Sequence, residues 1–532
     1  MRNFEKDQTQ PTEQEIRITA LEEELLCLKA IIARYEEMLR LQKQRQYGAS
    51  SERFPSGQLS LFEENETSSK TALPQGAPDE ITADKSHQKK KRKVRESINA
   101  ELPVTVITHS LPLEGRACSD CGNYMHVMKT EIRREIKVIP ARVEIIQHER
   151  DVYSCRTCEK VNTRTPIVKA PMPEAVIPKS MASSSAIAYV VTQKYLYSTP
   201  LYRLEFQFRQ FGVELSRQTM SNWLIHSTGE LLQPLYESMR AFLVALPILH
   251  ADETTLQVLK EAGRKPTSKS YIWLYRSGRV GPAIVLFEYT PTRGSGHPER
   301  FLEGFKGSLH TDGYSGYEKM EGVILSGCWA HFRRYFDQAV KAAPSGKKGK
   351  PTLSEIALIK IGEIYRIEKQ ISSTTPAKRR KARQRKSLPL AEAFFAWLET
   401  IQPVVTPKSQ LGKAIQYGLN QKDKLLQAFK DGRLDIDNNK AERSIKPLVI
   451  GRKNWLFSNT PKGAQASAIL YSIVETAKEN KLNILEYLQH LYETLPNINR
   501  NDKEELAKLY PWSKNLPLHC YLPTKEDNTS KE

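Results

Sequence analysis

The sequence predicts a multidomain α/β protein. At 532 residues the chain exceeds what one hydrophobic core usually supports, so we expect two or more domains joined by linkers. Between about residues 246 and 330, apolar runs such as PILHADETTLQVL, SYIWLYRS and PAIVLFEY alternate with turn residues, which is typical of strands in one mixed sheet. Long stretches on both sides have the spacing of amphipathic helices. The fold class is therefore a mixed-sheet core flanked by helical regions.

The charge balance favours a partner that carries many negative charges. The chain has 80 Lys and Arg against 61 Asp and Glu, a net charge of +19, which attracts polyanions at long range. A basic protein without such a partner is the alternative. The chain has no apolar run long enough to cross a bilayer, and its N-terminus lacks the apolar segment of a secretory signal. We expect a soluble, cytoplasmic protein without a membrane partner.

Residues 12–47 are predicted to form one helix. A capping box, with Thr12 three residues before Glu15, marks its start. From Ile18 onward, apolar residues fill successive a and d positions of a heptad repeat: Leu21, Leu25, Leu28, Ile32, Tyr35 and Leu39. This pattern predicts a short leucine zipper that pairs two copies of the chain. Ile31 and Met38 widen the stripe, so docking of the helix on its own protein is the alternative.

A polar linker is predicted to follow over residues 63–103. Its Pro, Gly and Ser residues and its blocks of charge are the composition of a disordered connector. It contains a basic run from Lys89 to Lys93, which could be a nuclear-import address or a phosphate-binding arm but is most often a solvated tether. We interpret it as a tether with non-specific DNA affinity.

Two cysteine pairs predict a zinc-binding domain over residues 104–165. Each pair has the spacing C-x-x-C: Cys118 with Cys121, and Cys155 with Cys158. Two such turns can supply the four corners of a tetrahedral zinc site, and a site closed by four thiolates is structural and not catalytic. His126 is a weaker substitute ligand, and four unconnected cysteines are the alternative.

After a Pro-rich link, residues 181–245 are predicted to be helical and to include a helix-turn-helix. In LYRLEFQFRQFGVELSRQTMSNWLIHS, Gly212 separates two helical patterns and Ser216 caps the second. Four polar side chains of the second helix face outward and suit base edges or phosphates in a major groove. They are Arg217, Gln218, Ser221 and Asn222. A plain αα-hairpin with a polar face is the alternative.

Three distant acids are the candidate catalytic residues of the region 246–460. Asp252 follows PILHA and Asp312 follows SLHT, so we expect each at or just beyond the end of a strand. Glu442 falls at the predicted start of a helix that Asn438 or Asn439 would cap. Converging carboxylates suit Mg²⁺ or Mn²⁺, and two such ions about 4 Å apart would serve phosphoryl transfer. Singly, each acid is more often a solvated surface residue or a helix cap.

Basic and aromatic residues surround Glu442. Positive side chains would grip a nucleic-acid backbone, and aromatic faces can stack on an unpaired base. The residues are Lys440, Arg443, Lys446, Arg452 and Lys453, with Trp455 and Phe457 among them.

The segment GCWAHFRR places Cys328 and His331 at a predicted strand-to-helix junction. Such a pair could bind metal, but no second pair lies nearby in the sequence. We expect these two side chains to pack beside the acidic site and orient it, and we assign them no metal. A helical insertion is predicted over about 340–430, and a C-terminal helical region over 464–510.

Together these segments resemble the transposases of the insertion-sequence-66 family. The resemblance covers nearly the whole chain and includes QYGASSERF, LSRQTMSNW, HADETT, HTDGYSGY, GCWAHFRR and NNKAERSIKPLVIGRKNWLFSNTPKGA. It implies a ribonuclease-H-like catalytic domain in which Asp252, Asp312 and Glu442 are the metal-binding DDE residues. It also implies that Cys328 and His331 form the Cys-x2-His element of the family, and that small companion proteins of the same element take part.

The function expected from this resemblance is that of a DNA transposase. It would bind the terminal inverted repeats of its insertion sequence, nick the ends and join them to target DNA, and it would associate with the bacterial nucleoid while bound. Two alternatives stay open: a catalytically inactive, zinc-containing DNA-binding regulator, and a structure-selective nuclease of the same fold. The regulator would not nick DNA with Mg²⁺, whereas the nuclease would cut but never join strands.

Overall fold

A computed structural model describes residues 141–154, 167–342 and 351–523, together with isolated positions between 25 and 42 and residues 106, 110, 123 and 128. The chain divides into two compact units, Met1–Gly48 with Val143–Leu522, and Ala49–Arg142 with Pro523–Glu532. The elements described below belong to the first unit. The predicted linker 63–103 with its run Lys89 to Lys93 lies outside the described residues. So do the four predicted zinc ligands and the weaker candidate His126.

Five of the described strands form one mixed sheet. In chain order the described strands are β1 (Val152–Ser154), β2 (Ile167–Lys169), β3 (Ile248–Gln257), β4 (Lys269–Ser277), β5 (Val285–Thr290), β6 (Ser308–Thr311) and β7 (Ile324–Gly327). The sheet order is β5-β4-β3-β6-β7. Strands β3, β4 and β5 pair antiparallel, while β6 and β7 continue the sheet in parallel with β3. The longest strand, β3, is therefore central, with the antiparallel strand β4 on one side and the parallel strand β6 on the other.

Helices surround this sheet in sequence and in space. In chain order the described α-helices are α1 (Ser184–Val191), α2 (Leu201–Gln210), α3 (Arg217–Ser227), α4 (Gln233–Val244), α5 (Gly296–Phe301), α6 (Trp329–Ala342), α7 (Leu353–Ile371), α8 (Pro376–Ala382), α9 (Leu388–Ile401), α10 (Gln410–Asn420), α11 (Lys422–Gln427), α12 (Asn439–Trp455), α13 (Pro461–Glu479), α14 (Ile484–Thr494) and α15 (Lys503–Lys508). None of the helices in the described part combines the length and apolar character that a membrane span needs.

The edge strand β5 is closed off by α13. The backbone N–H of Phe287 donates to the Ser472 hydroxyl at 2.8 Å, and the N–H of Val285 donates to the Thr476 hydroxyl at 3.0 Å. Helical hydroxyls thus satisfy donors that an edge strand would otherwise present to another chain. The buried face of α13, which includes Ile473, packs into the same core as the sheet.

Helices α6 to α11 form one helical group, which begins at Trp329, before the start near residue 340 that the sequence predicts for the insertion. Its core is aromatic, with Trp329, Phe332 and Phe395 fully buried and in mutual ring contact. Arg383, which is 1% exposed, pairs with Glu368 and holds the loop that leads out of the insertion. The insertion is therefore fixed to the chain segment that enters α12.

Helices α1 to α4 precede the sheet and match the helical region expected there. Helix α3 begins after Ser216, whose hydroxyl accepts the N–H of Thr219 at 3.1 Å, as the sequence predicts for an N-cap. Gly212 adopts a φ of +84° between α2 and α3, a left-handed conformation that favours glycine and lets the chain turn.

One short strand appears where the sequence predicts only a Pro-rich link. Strand β2 pairs antiparallel with β1, through Tyr153 opposite Val168. The prediction missed it because prolines flank only three consecutive strand residues, too few for a periodic pattern.

The described positions of the N-terminal helix are helical, and they touch the insertion through polar groups. The Glu37 carboxylate accepts the N–H of Gln410 at 2.8 Å, and Arg40 donates to the carbonyl of Ala342 at 2.7 Å. The apolar positions described on this helix are all exposed, for example Leu25 at 52% and Leu39 at 56%. The helix therefore docks by polar side chains while its apolar seam stays outside the contact.

Candidate active site

The first two acids lie at matching positions on neighbouring parallel strands. In the register of β3 and β6, His250 is opposite His310. Asp252 and Asp312 each follow two residues later, so both point to the face that carries the two histidines. Parallel neighbours are about 4.8 Å apart, which brings the two carboxylates within reach of one ion.

The expected place of Asp252 needs a correction. The sequence predicted it at or just beyond a strand end, but it is the fifth residue of β3, which runs on to Gln257. The strand continues because β4 pairs with it on the other side, with Asp252 opposite Leu274. Strand β6 stops at Thr311. Asp252 therefore lies at the end of the parallel pair and not at the end of its own strand.

Asp312 directly follows β6, as predicted, and is fixed by its own turn. Its carboxylate accepts the N–H of Tyr314 at 3.0 Å, and its carbonyl accepts the Tyr417 hydroxyl at 2.8 Å. Gly313 has a φ of +98°, and a Cβ there would lie 3.3 Å from Tyr417 and Gln421. Only glycine allows the chain to turn so sharply after this acid.

The third acid, Glu442, lies in the first turn of α12, as predicted. Asn438 occupies the N-cap position, but its side chain does not cap the helix. Instead its amide donates to the carbonyl of Ala251 at 2.9 Å, and its oxygen meets the His250 ring nitrogen Nδ1 at 2.8 Å. The start of α12 is thereby tied to the residue that precedes Asp252.

The charges of the three acids interact. Burial and, after it, the charges of Glu253, Asp312 and Glu442 together raise the pKa of Asp252 to about 8, against one backbone hydrogen bond that lowers it. Mutual repulsion of this kind is relieved by a cation that all the carboxylates can share. The donor set consists of hard oxygens, which suits a divalent ion of the Mg²⁺ or Mn²⁺ class.

A cluster of buried polar side chains packs next to the residues that carry the acids. His250 and His310 stack with ring centroids 5.0 Å apart, and His310 meets the carbonyl of Asp435 at 3.1 Å. Burial and the neighbouring His250 lower the pKa of His310 to about 3, so its ring is neutral. Burial opposes the charge of Asp435, but contacts with His250, Lys440 and Arg279 hold the pKa of Asp435 well below its ordinary value.

Sequence reasoning missed this support. His250, His310 and Asp435 received no role, and Asn438 was expected only as a helix cap, although a signal was available for the two histidines. Residues 249–252 and 309–312 share the order Leu-His-x-Asp, which predicts two strands that present the same residues to one face.

Cys328 and His331 lie beside the third acid, where the sequence placed them. Cys328 falls between β7 and α6, and His331 is in the first turn of α6. Nδ1 of His331 is 3.6 Å from the Glu442 carboxylate, and Arg334 pairs with the same carboxylate at 3.2 Å. Glu442 is therefore held from the side of α6.

The basic residues predicted to bind DNA divide into two groups. Arg443, Lys446 and Lys453 are exposed on α12. Lys440 differs from the expectation because its side chain is only 30% exposed and pairs with Asp435 at 3.2 Å. Lys440 is the second residue of α12, at the end of the helix next to the sheet. Its charge is therefore paired with a buried acid of the protein.

Two further candidates near the end of α12 are partly turned inward. Arg452 donates to Thr254 at 3.3 Å on β3. Trp455 is half-buried, with the Lys194 ammonium 5.7 Å from its ring centroid. The exposed apolar side chains here are those of Leu456, at 62%, and Phe457, at 42%.

In the helix-turn-helix candidate, Arg217, Gln218 and Asn222 are exposed on α3, whereas Ser221 is half-buried. Gln218 donates to Asn222 at 3.0 Å, so these two amides form one polar surface. These side chains are available to a partner, and their role in DNA binding stays a prediction.

Family comparisons agree with this organisation. The model described as "Transposase IS66 family" matches residues 179–466. The model described as "zinc-finger binding domain of transposase IS66" matches residues 116–159, which contain both cysteine pairs. A third, described as "Transposase C of IS166 homeodomain", matches residues 34–107.

Similar proteins occur in Sinorhizobium fredii. The chain is 30% identical over 536 residues to the protein named "Uncharacterized protein y4qI", a match that covers 94% of this chain and 93% of the relative. It is 30% identical over 415 residues to "Uncharacterized protein y4jD", with 75% of this chain and 78% of the relative covered.

Proposed function

The chain belongs to the IS66 transposase family, and on that premise we propose that it catalyses DNA transposition with Asp252, Asp312 and Glu442 as its catalytic acids. It would bind the terminal inverted repeats of its insertion sequence, nick the ends and transfer the exposed strands to target DNA. The observation that carries the proposal is the matched register of Asp252 and Asp312, with the helix of Glu442 tied to the same strand.

The three carboxylates would hold a divalent ion of the Mg²⁺ or Mn²⁺ class. When bound, such ions activate an attacking water or 3′-hydroxyl and neutralise the leaving oxygen of an in-line displacement. The protein's own contribution is to fix the acids before DNA arrives. Asp252 is fixed by β3, Asp312 by its turn, and Glu442 by Asn438 and α6, which is the preorganisation that phosphoryl transfer requires.

The sheet order supports a ribonuclease-H-like core. Three antiparallel strands followed by two parallel ones, with the first strand central, place the acids of the first and fourth strands side by side. The helical insertion would then lie between the second and third catalytic acids.

Two exposed surfaces suit double-stranded DNA. Arg443, Lys446 and Lys453 on α12 would contact the phosphates next to the cleaved end. The polar residues of α3, Arg217, Gln218 and Asn222, would read or position the terminal repeat.

The remaining parts of the chain would serve assembly. Cys118, Cys121, Cys155 and Cys158 would bind one structural Zn²⁺ in the zinc-finger domain. The exposed apolar seam of the N-terminal helix would pair two protomers, because both ends of the element must be held together before joining. The protein would act in the cytoplasm, on the nucleoid while bound to DNA, with accessory proteins of the same element.

A transposition assay in cells tests the proposal. The donor is the gene with its flanking DNA, so that native repeats and companion genes are present, and movement to a conjugative plasmid is scored. We expect Asp312→Asn to abolish movement and Asp423→Asn, a change in helix α11, to leave it intact. Movement that survives Asp312→Asn would refute the catalytic assignment.

The assay also separates the alternatives. A regulator would retain its biological effect after Asp312→Asn. A structure-selective nuclease would produce cut donor DNA without joined products, whereas the transposase gives insertions flanked by a short duplication of the target.

A further inference from the structure

Three side chains of different chemistry converge beside the proposed active site. Cys328, His331 and Glu442 each offer one ligand atom, and these atoms all lie within 4.8 Å of one another. They come from the β7–α6 junction, from α6 and from α12. The set joins a sulfur, an imidazole nitrogen and a carboxylate oxygen, which is unlike the all-oxygen set proposed for the three acids.

The sulfur is surrounded as a metal-bound thiolate would be. Cys328 is fully buried, and its sulfur accepts the backbone N–H of Asn438 at 3.1 Å and a second N–H from His331. Backbone donors directed at a sulfur stabilise its anionic form and orient it as a ligand. Without a cation nearby, burial raises the pKa of this thiol to about 12.

The imidazole has an unused nitrogen at the right distance. Nδ1 of His331 is buried and makes no hydrogen bond, although it is 3.6 Å from the Glu442 carboxylate. Two ligands of one tetrahedral zinc, each about 2.0–2.3 Å from the ion, are about 3.3–3.8 Å apart. A metal between these two atoms would give the orphaned nitrogen a partner.

One competing contact must yield. Arg334 pairs with Glu442 at 3.2 Å, but its side chain is 43% exposed and can turn into solvent. The carboxylate itself is 26% exposed, so an ion can reach it from outside.

We propose that Cys328, His331 and Glu442 form a second metal site, selective for a thiophilic divalent ion such as Zn²⁺, and that occupation of this site inhibits the Mg²⁺-dependent reaction. Mixed sulfur, nitrogen and oxygen donors favour Zn²⁺ over Mg²⁺. Binding replaces the S–H bond of Cys328 by a sulfur–metal bond and releases the proton to solvent. Three protein ligands leave the fourth position to water.

Inhibition follows because Glu442 belongs to both sites. The Glu442 carboxylate already lies beside Cys328 and His331, and an ion bound there would hold it away from an ion shared with Asp252 and Asp312. The inhibitory part of the proposal rests on the proposed function, whereas metal binding at the three residues does not.

Cobalt binding tests the site without any activity measurement. The full chain is loaded with a single equivalent of Zn²⁺, enough for the proposed four-cysteine site alone, and is then titrated with Co²⁺ while the thiolate-to-cobalt charge-transfer absorption is recorded. We expect one added equivalent of this absorption in the native protein, the same in Cys520→Ser, which removes the other described buried thiol, and none in Cys328→Ser. Equal absorption in all three proteins would overturn the site.

A second variant guards against misfolding of Cys328→Ser. His331→Asn changes a partly exposed side chain, and we expect it to weaken Co²⁺ binding at least tenfold while the thermal melt stays close to that of the native protein. Unchanged Co²⁺ affinity in His331→Asn would also overturn the site.

Zinc inhibition tests the regulatory part. In Mg²⁺-dependent strand cleavage, we expect the Zn²⁺ concentration for half inhibition to be at least tenfold higher for His331→Asn than for the native protein. Equal sensitivity would overturn the inhibitory role. A cobalt band in a chain that never cleaves DNA would support the metal site and count against the proposed function, so the two failures are distinguishable.

Discussion

Asp252 and Glu288 are both half-buried acids of the central sheet, but their surroundings differ. Asp252 faces other carboxylates, whose repulsion a shared cation can relieve. Glu288 on β5 faces Arg300 at 3.2 Å, and its second oxygen has no hydrogen-bond partner. Burial raises the pKa of Glu288 to about 7, and Arg300 only partly offsets the effect. A raised pKa thus accompanies the proposed ion site in one case and is a structural cost in the other.

Glu288 gives a prediction about stability and pH. The folded state holds the Glu288 proton more tightly than the unfolded chain, so this contribution is complete below about pH 4.5 and is lost as the pH rises through about 7. We expect Glu288→Gln to raise the free energy of unfolding at pH 8 by up to roughly 3 kcal/mol and to change it little at pH 4.5. Urea unfolding at both pH values measures this, with exposed Glu303→Gln as control. A Glu288→Gln effect that is independent of pH would contradict the account.

Leu456 gives a second prediction at the same scale. Its φ of +64° and ψ of −53° place it at the centre of a γ-turn closed by the N–H of Phe457 and the carbonyl of Trp455 at 2.8 Å. A leucine there is strained by about 1–3 kcal/mol. We expect Leu456→Gly to unfold at a free energy about 1 kcal/mol higher than Leu456→Ala. At Lys453, in the preceding helix, we expect the opposite: Lys453→Ala should be more stable than Lys453→Gly. If the Ala variant were the more stable one at both positions, Leu456 would not be strained.

Helix α12 is positioned by contacts at its N-terminus and by contacts of the loop that precedes it. Asn438, fully buried, joins its start to Ala251 and His250 on β3. Arg383 in the insertion donates hydrogen bonds to three carbonyls of the loop that leads toward α12. These are the carbonyls of Ala428, Asp431 and Leu434, at 2.9, 2.9 and 3.0 Å. The orientation of Glu442 is thus a property of several elements together.

Removal of the Asn438 side chain should loosen α12 from β3. Asn438→Ala removes the hydrogen-bond partner of the Ala251 carbonyl and of the buried Nδ1 atom of His250, which costs on the order of 2–4 kcal/mol. We expect that loss in chemical denaturation, with a slower cleavage step at saturating Mg²⁺. Asn454→Ala, which removes an exposed amide bonded to Ser198 at 3.1 Å, should cost less than about 1 kcal/mol. Similar losses for both variants would contradict the positioning role.

Loss of the buried ion pair between Arg383 and Glu368 in the insertion should also lower the free energy of unfolding. Arg383→Met leaves the Glu368 carboxylate buried without its partner, and such a loss costs about 3–5 kcal/mol. Arg433→Met breaks a surface pair with Asp431 and should cost less than about 1 kcal/mol. The two free energies of unfolding are measured by urea titration under the same conditions. Equal costs would mean that Arg383 does not anchor the insertion.

Across the whole molecule, the sequence predicts the individual strands, helices and caps better than it predicts the contacts between them. The mixed sheet, the cap at Ser216, the insertion and the helix of Glu442 follow from local periodicity and capping. The depth of Asp252 within β3 does not, because it depends on pairing with β4. Nor does the role of Asn438, whose partner Ala251 is 187 residues away in the chain. Lys440 was misjudged for the same reason, since its burial is set by Asp435 and the sheet beneath it.

Manganese binding by the full chain tests the central claim most directly. Free Mn²⁺ is followed by electron paramagnetic resonance during titration of the native protein and of Asp252→Asn, Asp312→Asn and Asp431→Asn. The account predicts that each of the first two variants weakens binding at least tenfold, because their carboxylates share the ion, and that Asp431→Asn binds as the native protein does. Native affinity in both Asp252→Asn and Asp312→Asn would contradict it.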